Sequence, residues 1–221
     1  MLKSSSLYLA SVTKFSDQTE GIMTVPSVKM LRGSGNSYDT ERYLMLHKAT
    51  RPFLFAQCWC AHNSELRSMW ERYCAYERPN EISKNGIAIR STFASLRGSL
   101  DWNDERLIRI SLVSYLDRHQ DLSNVDNMLS AFLEKDISMI DERELRILFN
   151  DVDAFQKNSF IPSYHDPLFR RVCVDVRQLV NGIIPSPTAG DHETEKLRDL
   201  LIEFSMEDRL VDSRLLERLV Y

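Results

Sequence analysis

Residues 141–149 read Asp-Glu-Arg-Glu-Leu-Arg-Ile-Leu-Phe, and this segment decides the fold because two backbone conformations fit it. In a strand, its odd-numbered apolar residues would face the core and its charged residues would face the other way. In a helix, an apolar stripe would be buried, and Glu142 and Arg146 would form an i, i+4 pair at the surface. The apolar periodicity alone slightly favours the helix.

Only the strand conformation would create a candidate catalytic site. It would place the carboxylates of Glu142 and Glu144 beside the guanidinium of Arg146 on one face of a sheet. Such a group can stabilise a developing positive charge on a sugar carbon and activate an attacking group. The alternative is a solvated face whose charges form ordinary surface salt bridges, and the residues taken alone favour this alternative.

Helix and strand patterns alternate irregularly along the rest of the chain. Strands are expected at 8–12, 52–59, 86–91, 107–116, 172–176 and 182–185, and helices at 39–49, 64–76, 92–100, 124–134 and 191–204. Because regular βαβ units are missing from this order, we expect an α+β fold with a mainly antiparallel or mixed sheet flanked by helices. No stretch has the composition of a domain linker, so residues 1–221 are expected to form one domain.

Composition and charge narrow the class of protein. The chain has 221 residues, of which 43% are hydrophobic and 27% charged, and its formal net charge is −4. Duplex nucleic acid is therefore an unfavourable partner. No apolar run approaches the ~20 residues of a membrane helix, and the N-terminus lacks the apolar core of a signal peptide. We expect a cytoplasmic protein with reduced cysteines.

Cys58, Cys60 and His62 alternate, so they would share one face of a strand. A structural zinc site normally has four ligands, and its cysteine pairs are spaced more widely. We therefore expect no metal site here and interpret the cysteines as small buried hydrophobic residues.

Three further patterns have a structural and a functional interpretation. Trp70 and Tyr73 lie on one face of the predicted helix, where core packing is favoured over contact with a ligand ring. Arginines around them, including Arg90, could hold a small anionic ligand such as a nucleotide, although a solvated surface is favoured. Asp17-x-x-Glu20 matches a capping box, and the alternative is that Asp17 binds a ribose hydroxyl.

Four segments, in order, resemble a bacterial and phage family, the domain-of-unknown-function family 2971. The segments contain Phe15-x-Asp17-x-x-Glu20-Gly21; Cys58-Trp59, Met69-Trp70-x-x-Tyr73 and Gly86-Ile-Ala-Ile89; Tyr115-Leu-Asp117, Phe132-x-x-Lys135 and Glu142-x-Glu144-x-Arg146; and Val174-Asp175-Val with Ile184-Pro-Ser-Pro187. The resemblance implies that the segment from Glu142 to Phe149 is a strand, and we adopt this against the periodicity. Family members usually begin with an additional strand that carries an aromatic residue and an arginine, so the resemblance implies either that this protein is naturally short or that one edge of its sheet is missing.

The paired-glutamate strand also resembles the catalytic strand of ADP-ribosyltransferases. This resemblance implies that Glu144 stabilises an oxocarbenium-like centre, with Glu142 orienting the acceptor and Arg146 beside them. In this interpretation Tyr73 or Trp70 would stack on a nicotinamide or adenine ring. Taken with the patterns above, the candidate ligand-binding residues are Trp70, Tyr73, Asp17, Glu20, Trp59 and Arg90. NAD would be the substrate, and no other cofactor is required.

Two functions therefore stay open. The first is an ADP-ribosyltransferase-like or nucleotide-processing enzyme with a nucleotide ligand. The second is a non-catalytic interaction or sensor protein in phage–bacterium conflict, acting with a protein partner or as a homodimer.

Overall fold

The computed structural model describes residues 1–17, 19–33, 37–74, 82–101, 108–158 and 167–215. The chain groups into two compact units. Unit 1 comprises Met1–Ser6, His62–Asp101 and Cys173–Tyr221, and unit 2 comprises Leu7–Ala61 and Trp102–Val172. Helices and a mainly antiparallel sheet confirm the predicted α+β class.

Unit 2 is built around an antiparallel sheet that has five strands among the described residues. In spatial order these are β4 (Ile108–Leu112), β7 (Glu144–Asn150), β2 (Leu54–Cys60), β1 (Ser6–Ser11) and β8 (Phe169–Cys173). Strand β7 pairs with β2 on one side, where Cys60 lies opposite Glu144, and with β4 on the other. A second, parallel pair joins β5 (Ser114–Leu116) to β6 (Glu134–Asp136).

Strand β7 resolves the ambiguity of the opening segment. The backbone is extended from Glu144 onward, as the family resemblance implied, whereas Glu142 ends a 3-10 helix that spans Ile137–Glu142. The two conformations meet at Arg143, which has a left-handed φ of 42°. Ile147 and Leu148 are both fully buried, so both faces of the strand are covered and the period-2 signal is lost.

Three α-helices are described in unit 2: α1 (Val25–Gly33), α2 (Ser37–Thr50) and α5 (Val152–Asn158). The predicted helix at 124–134 is wrong, because only Ser130–Leu133 is helical, as a 3-10 turn. The side chains of Asn124 and Asn127 accept hydrogen bonds from the backbone two residues further on. Such local bonds compete with helix formation.

Unit 1 contains the antiparallel pair of β3 (Ile87–Arg90) with β9 (Gly182–Pro185) and the helices α3 (Arg67–Tyr73), α4 (Phe93–Ser99), α6 (Val176–Leu179) and α7 (Asp191–Glu203). Helix α3 begins later than predicted. The carboxylate of Glu65 accepts hydrogen bonds from Trp70 and Ser213 in place of capping the helix. In the described part of the chain, no helix has the length and apolar character needed to cross a membrane.

Candidate functional site

Five charged side chains of unit 2 come together in its interior, and we call them the ion network. They are Glu20, Lys135, Glu142, Glu144 and Arg146, and all are buried. Strand β7 supplies Glu144 and Arg146, which lie two residues apart and so point to the same face. The other three come from the turn before α1, from β6 and from the end of the 3-10 helix.

Arg146 uses three sides of its guanidinium. Its Nε donates to Oε1 of Glu144 at 2.6 Å, and its Nη2 donates to Oε2 of Glu20 at 2.6 Å. Its Nη1 donates to the backbone carbonyl of Phe132 at 2.8 Å. The group also lies over the ring of Phe15, 5.5 Å from the centroid. A planar fork of donors suits this arrangement, which a lysine could not reproduce.

Lys135 joins the three carboxylates. Its Nζ lies 2.6 Å from Oε2 of Glu142, 3.2 Å from Oε2 of Glu144 and 3.5 Å from Oε1 of Glu20. Glu20 and Glu144 therefore each contact both cations. Every charged group of the network has an oppositely charged partner, which is the condition under which buried charges are tolerated.

The network contains three acids and two bases, and the pKa values of two of its carboxylates are shifted in opposite directions. Burial, the largest influence, raises the pKa of Glu20 above the ordinary glutamate value, although Arg146 and Lys135 act to lower it. Burial acts in the same direction on Glu144, but the hydrogen bonds and charge of Arg146 outweigh it and leave that pKa below the ordinary value. Of these two carboxylates, Glu20 is thus the one that takes up a proton more readily.

The turn that carries Glu20 is closed by local bonds. Oδ1 of Asp17 accepts hydrogen bonds from the backbone N–H and the hydroxyl of Thr19. The predicted capping box is wrong, because the carboxylate of Glu20 reaches Arg146 and not the backbone N–H of Asp17. Gly21 follows with a φ of +69°, and a Cβ there would lie 2.4 Å from the ring of Phe132.

The remaining residues predicted for a ligand lie elsewhere. Trp59 is half-buried on β2, and its Nε1 donates to Gln57. Trp70 is buried in unit 1, which confirms core packing, but Tyr73 is 62% exposed and does not belong to that core. Arg90, also in unit 1, is exposed and donates to the carbonyl of Asn181.

Cys58 and Cys60 do not behave as predicted. Both are exposed, so their interpretation as buried hydrophobic residues is wrong. The first three residues of β2 are buried, whereas from Gln57 onward half-buried and exposed residues alternate. Both cysteines are among the exposed residues of this second half.

Sequence reasoning missed Lys135 as a site residue. No chemical motif surrounds it, and its nearest acidic partner in the chain, Glu142, is separated from it by the 3-10 helix. The signal that could have found it is its place in the third segment of the family resemblance.

Fold and site together define an α+β protein whose antiparallel sheet carries a buried, fully paired ion network. No protein-family model matches the chain, and no curated protein or solved structure matches it significantly. The resemblance to family 2971 therefore rests on the quoted segments. Residues from two of these segments, the first with Glu20 and the third with Lys135 and the β7 charges, meet in the network.

Proposed function

We propose that this chain is a non-catalytic interaction or sensor protein in which the ion network is a structural element. The proposal is supported by one observation: the three candidate catalytic residues, Glu142, Glu144 and Arg146, are buried and paired with opposite charges. Glu142 and Glu144 are 4% exposed and Arg146 is 1% exposed. Each is already bound to an oppositely charged side chain.

A catalytic carboxylate has to reach the reacting atoms of its substrate. Freeing Glu144 for that purpose would take it from both Arg146 and Lys135 and leave their charges uncompensated in the interior. Breaking a buried pair in this way costs roughly 3–5 kcal/mol. The geometry is better suited to holding β7, β6 and the Glu20 turn together than to turning over a substrate.

The test compares Glu144→Gln with Glu41→Gln, a matched control whose exposed carboxylate pairs with Arg32 at the surface. We expect wild-type protein to show no NAD turnover above a heat-denatured sample. Glu144→Gln should lower the free energy of unfolding by on the order of 3 kcal/mol, and Glu41→Gln by less than about 1 kcal/mol. Measurements are NAD consumption by chromatography and urea unfolding. NAD turnover that Glu144→Gln abolishes while stability is retained would overturn the proposal.

An ADP-ribosyltransferase-like or nucleotide-processing enzyme, with NAD as substrate, is the second candidate. One observation favours it: two neighbouring carboxylates, Glu20 and Glu144, have pKa values shifted in opposite directions. Such pairs serve as acid and base in many active sites. Catalysis would require the Glu20 turn to open, and the same NAD assay decides between the two candidates.

An interaction protein also needs a partner, and a second copy of the chain is the simplest one. Size-exclusion chromatography with light scattering measures the mass in solution directly. A homodimer or a complex supports the proposal, and a monomer that turns over a nucleotide supports the enzyme.

A further inference from the structure

An exposed aromatic pair lies at the edge of the sheet in unit 2. Tyr8 on β1 is 52% exposed and Phe169 on the neighbouring β8 is 37% exposed. Their rings stack with centroids 4.7 Å apart and an angle of 27° between the planes. Leu7 and Leu9, which flank Tyr8, are buried, so β1 turns only its tyrosine outward at this point.

An arginine extends this pair. Arg171 follows Phe169 by two residues, so both lie on the same face of β8, and its Cζ is 5.7 Å from the ring centroid. Within the ranges that the structure describes, no carboxylate pairs with Arg171. Its neighbour Arg170 differs, because its Nη2 binds Asp151 at 2.7 Å and its Cζ lies over the ring of Phe55. We call Tyr8, Phe169 and Arg171 the aromatic platform.

The composition of the platform indicates the chemistry of its ligand. Two exposed, stacked rings favour a flat π system that can stack on the exposed ring of Tyr8. Among the described residues the exposed guanidinium of Arg171 has no carboxylate partner, so it favours an anion, and phosphate matches its fork of donors. A nucleobase that carries a phosphate combines both features. A duplex does not fit, because its bases are already stacked and the net charge of the chain is −4.

We propose that the aromatic platform binds a nucleobase bearing a phosphate group, either as a mononucleotide or within single-stranded nucleic acid. The base stacks on Tyr8, and Arg171 pairs with the phosphate. This site is separate in its residues from the ion network. The proposal rests on the proposed sensor function and adds the ligand that would be sensed. Its test does not depend on the outcome of the NAD assay.

The experiment measures binding to the full chain by fluorescence anisotropy with a labelled 12-nucleotide single strand, and by calorimetry with AMP. Tyr8→Ala should weaken binding about tenfold, and Tyr8→Phe should retain it, because stacking needs the ring and not the hydroxyl. Arg171→Ala should weaken binding to the single strand and reduce its salt dependence by about one phosphate contact.

Two exposed residues of unit 2 outside the platform provide matched controls: Tyr38→Ala on α2 and Arg109→Ala on β4, both expected to bind as the wild type does. Binding of AMP with displacement of the labelled strand identifies a mononucleotide site, and binding of the strand alone identifies a single-strand site. Wild-type protein that binds neither ligand overturns the proposal. So does a loss with Tyr38→Ala equal to that with Tyr8→Ala.

Discussion

The guanidinium of Arg146 donates hydrogen bonds to its strand neighbour Glu144, to Glu20 in a turn and to the carbonyl of Phe132. Two nearby residues, Gly21 and His47, each contribute one specific property to this region. Gly21 supplies a left-handed backbone, and His47 supplies a neutral ring that stacks on Phe132 with centroids 5.1 Å apart. Each property can be tested by one substitution.

Gly21 is expected to tolerate no side chain. Gly21→Ala forces a residue with a Cβ into a φ of +69° and places that atom 2.4 Å from the ring of Phe132. The free energy of unfolding should fall by at least about 1 kcal/mol in urea denaturation. Gly33→Ala is the control, since a Cβ there meets nothing within 4 Å. Equal stability of the two variants would show that the turn is not held as described.

His47 should make stability depend on pH. Burial, helped by the charge of Arg51, lowers the pKa of His47 to about 4 from an ordinary value near 6.5. Because the unfolded chain takes up the proton first, the folded state loses stability as pH falls from 6.5 towards 4. Between pH 7.5 and 5 the loss is about 2 kcal/mol for this group. Glu20, whose pKa is raised, acts in the opposite direction.

The measurement for His47 is urea unfolding of the wild type and of His47→Phe at both pH values. The variant should lose about 2 kcal/mol less than the wild type on acidification, since the contribution of Glu20 is common to both. His119→Phe, at an exposed position, is the control and should follow the wild type. A wild-type curve parallel to that of His47→Phe would contradict the assigned neutral ring.

At the scale of elements, the positions of the strands were easier to predict from the sequence than which of their faces is buried. The apolar segment at 52–59 and the alternation at 86–91 correspond to β2 and β3. For β7, periodicity indicated a helix because the adjacent residues Ile147 and Leu148 are both buried, which interrupts the alternation of a strand. Its charged face, in turn, looks in the sequence like a solvated surface. Only the three-dimensional pairing with Glu20 and Lys135 makes that face an interior one.

Hydrogen exchange should reflect the order of the strands. Backbone groups of β7 pair with β2 on one side and β4 on the other, whereas β8 lies at an edge of the sheet in the part of the chain described. We expect amides of 145–149 to exchange far more slowly than those of 169–171, because central strands open only with global unfolding. The readout is mass spectrometry of peptic fragments. Equal protection of both segments would contradict the strand order.

At the scale of the whole molecule, the sequence predicts one domain, and the chain forms two compact units whose segments alternate along it. The chain passes from one unit to the other at four positions, and the sequence has no linker-like composition at any of them. Two of these positions fall inside β1 and β8. The order of the predicted elements gives a fold class and the composition gives a net charge, but neither encodes which distant segments group together. The same reason explains why the partners of Arg146 could not be identified in advance.

The bond between Glu20 and Arg146 spans 126 positions of the chain. During synthesis from the N-terminus, the turn with Glu20 leaves the ribosome long before its two cations exist. Until Lys135 and Arg146 emerge, that carboxylate lacks the two cations that pair with it in the folded unit. Unit 2 can therefore finish folding in the cell only after strand β7 has been synthesised. Truncated products that end before residue 146 should accordingly be degraded as unfolded chains.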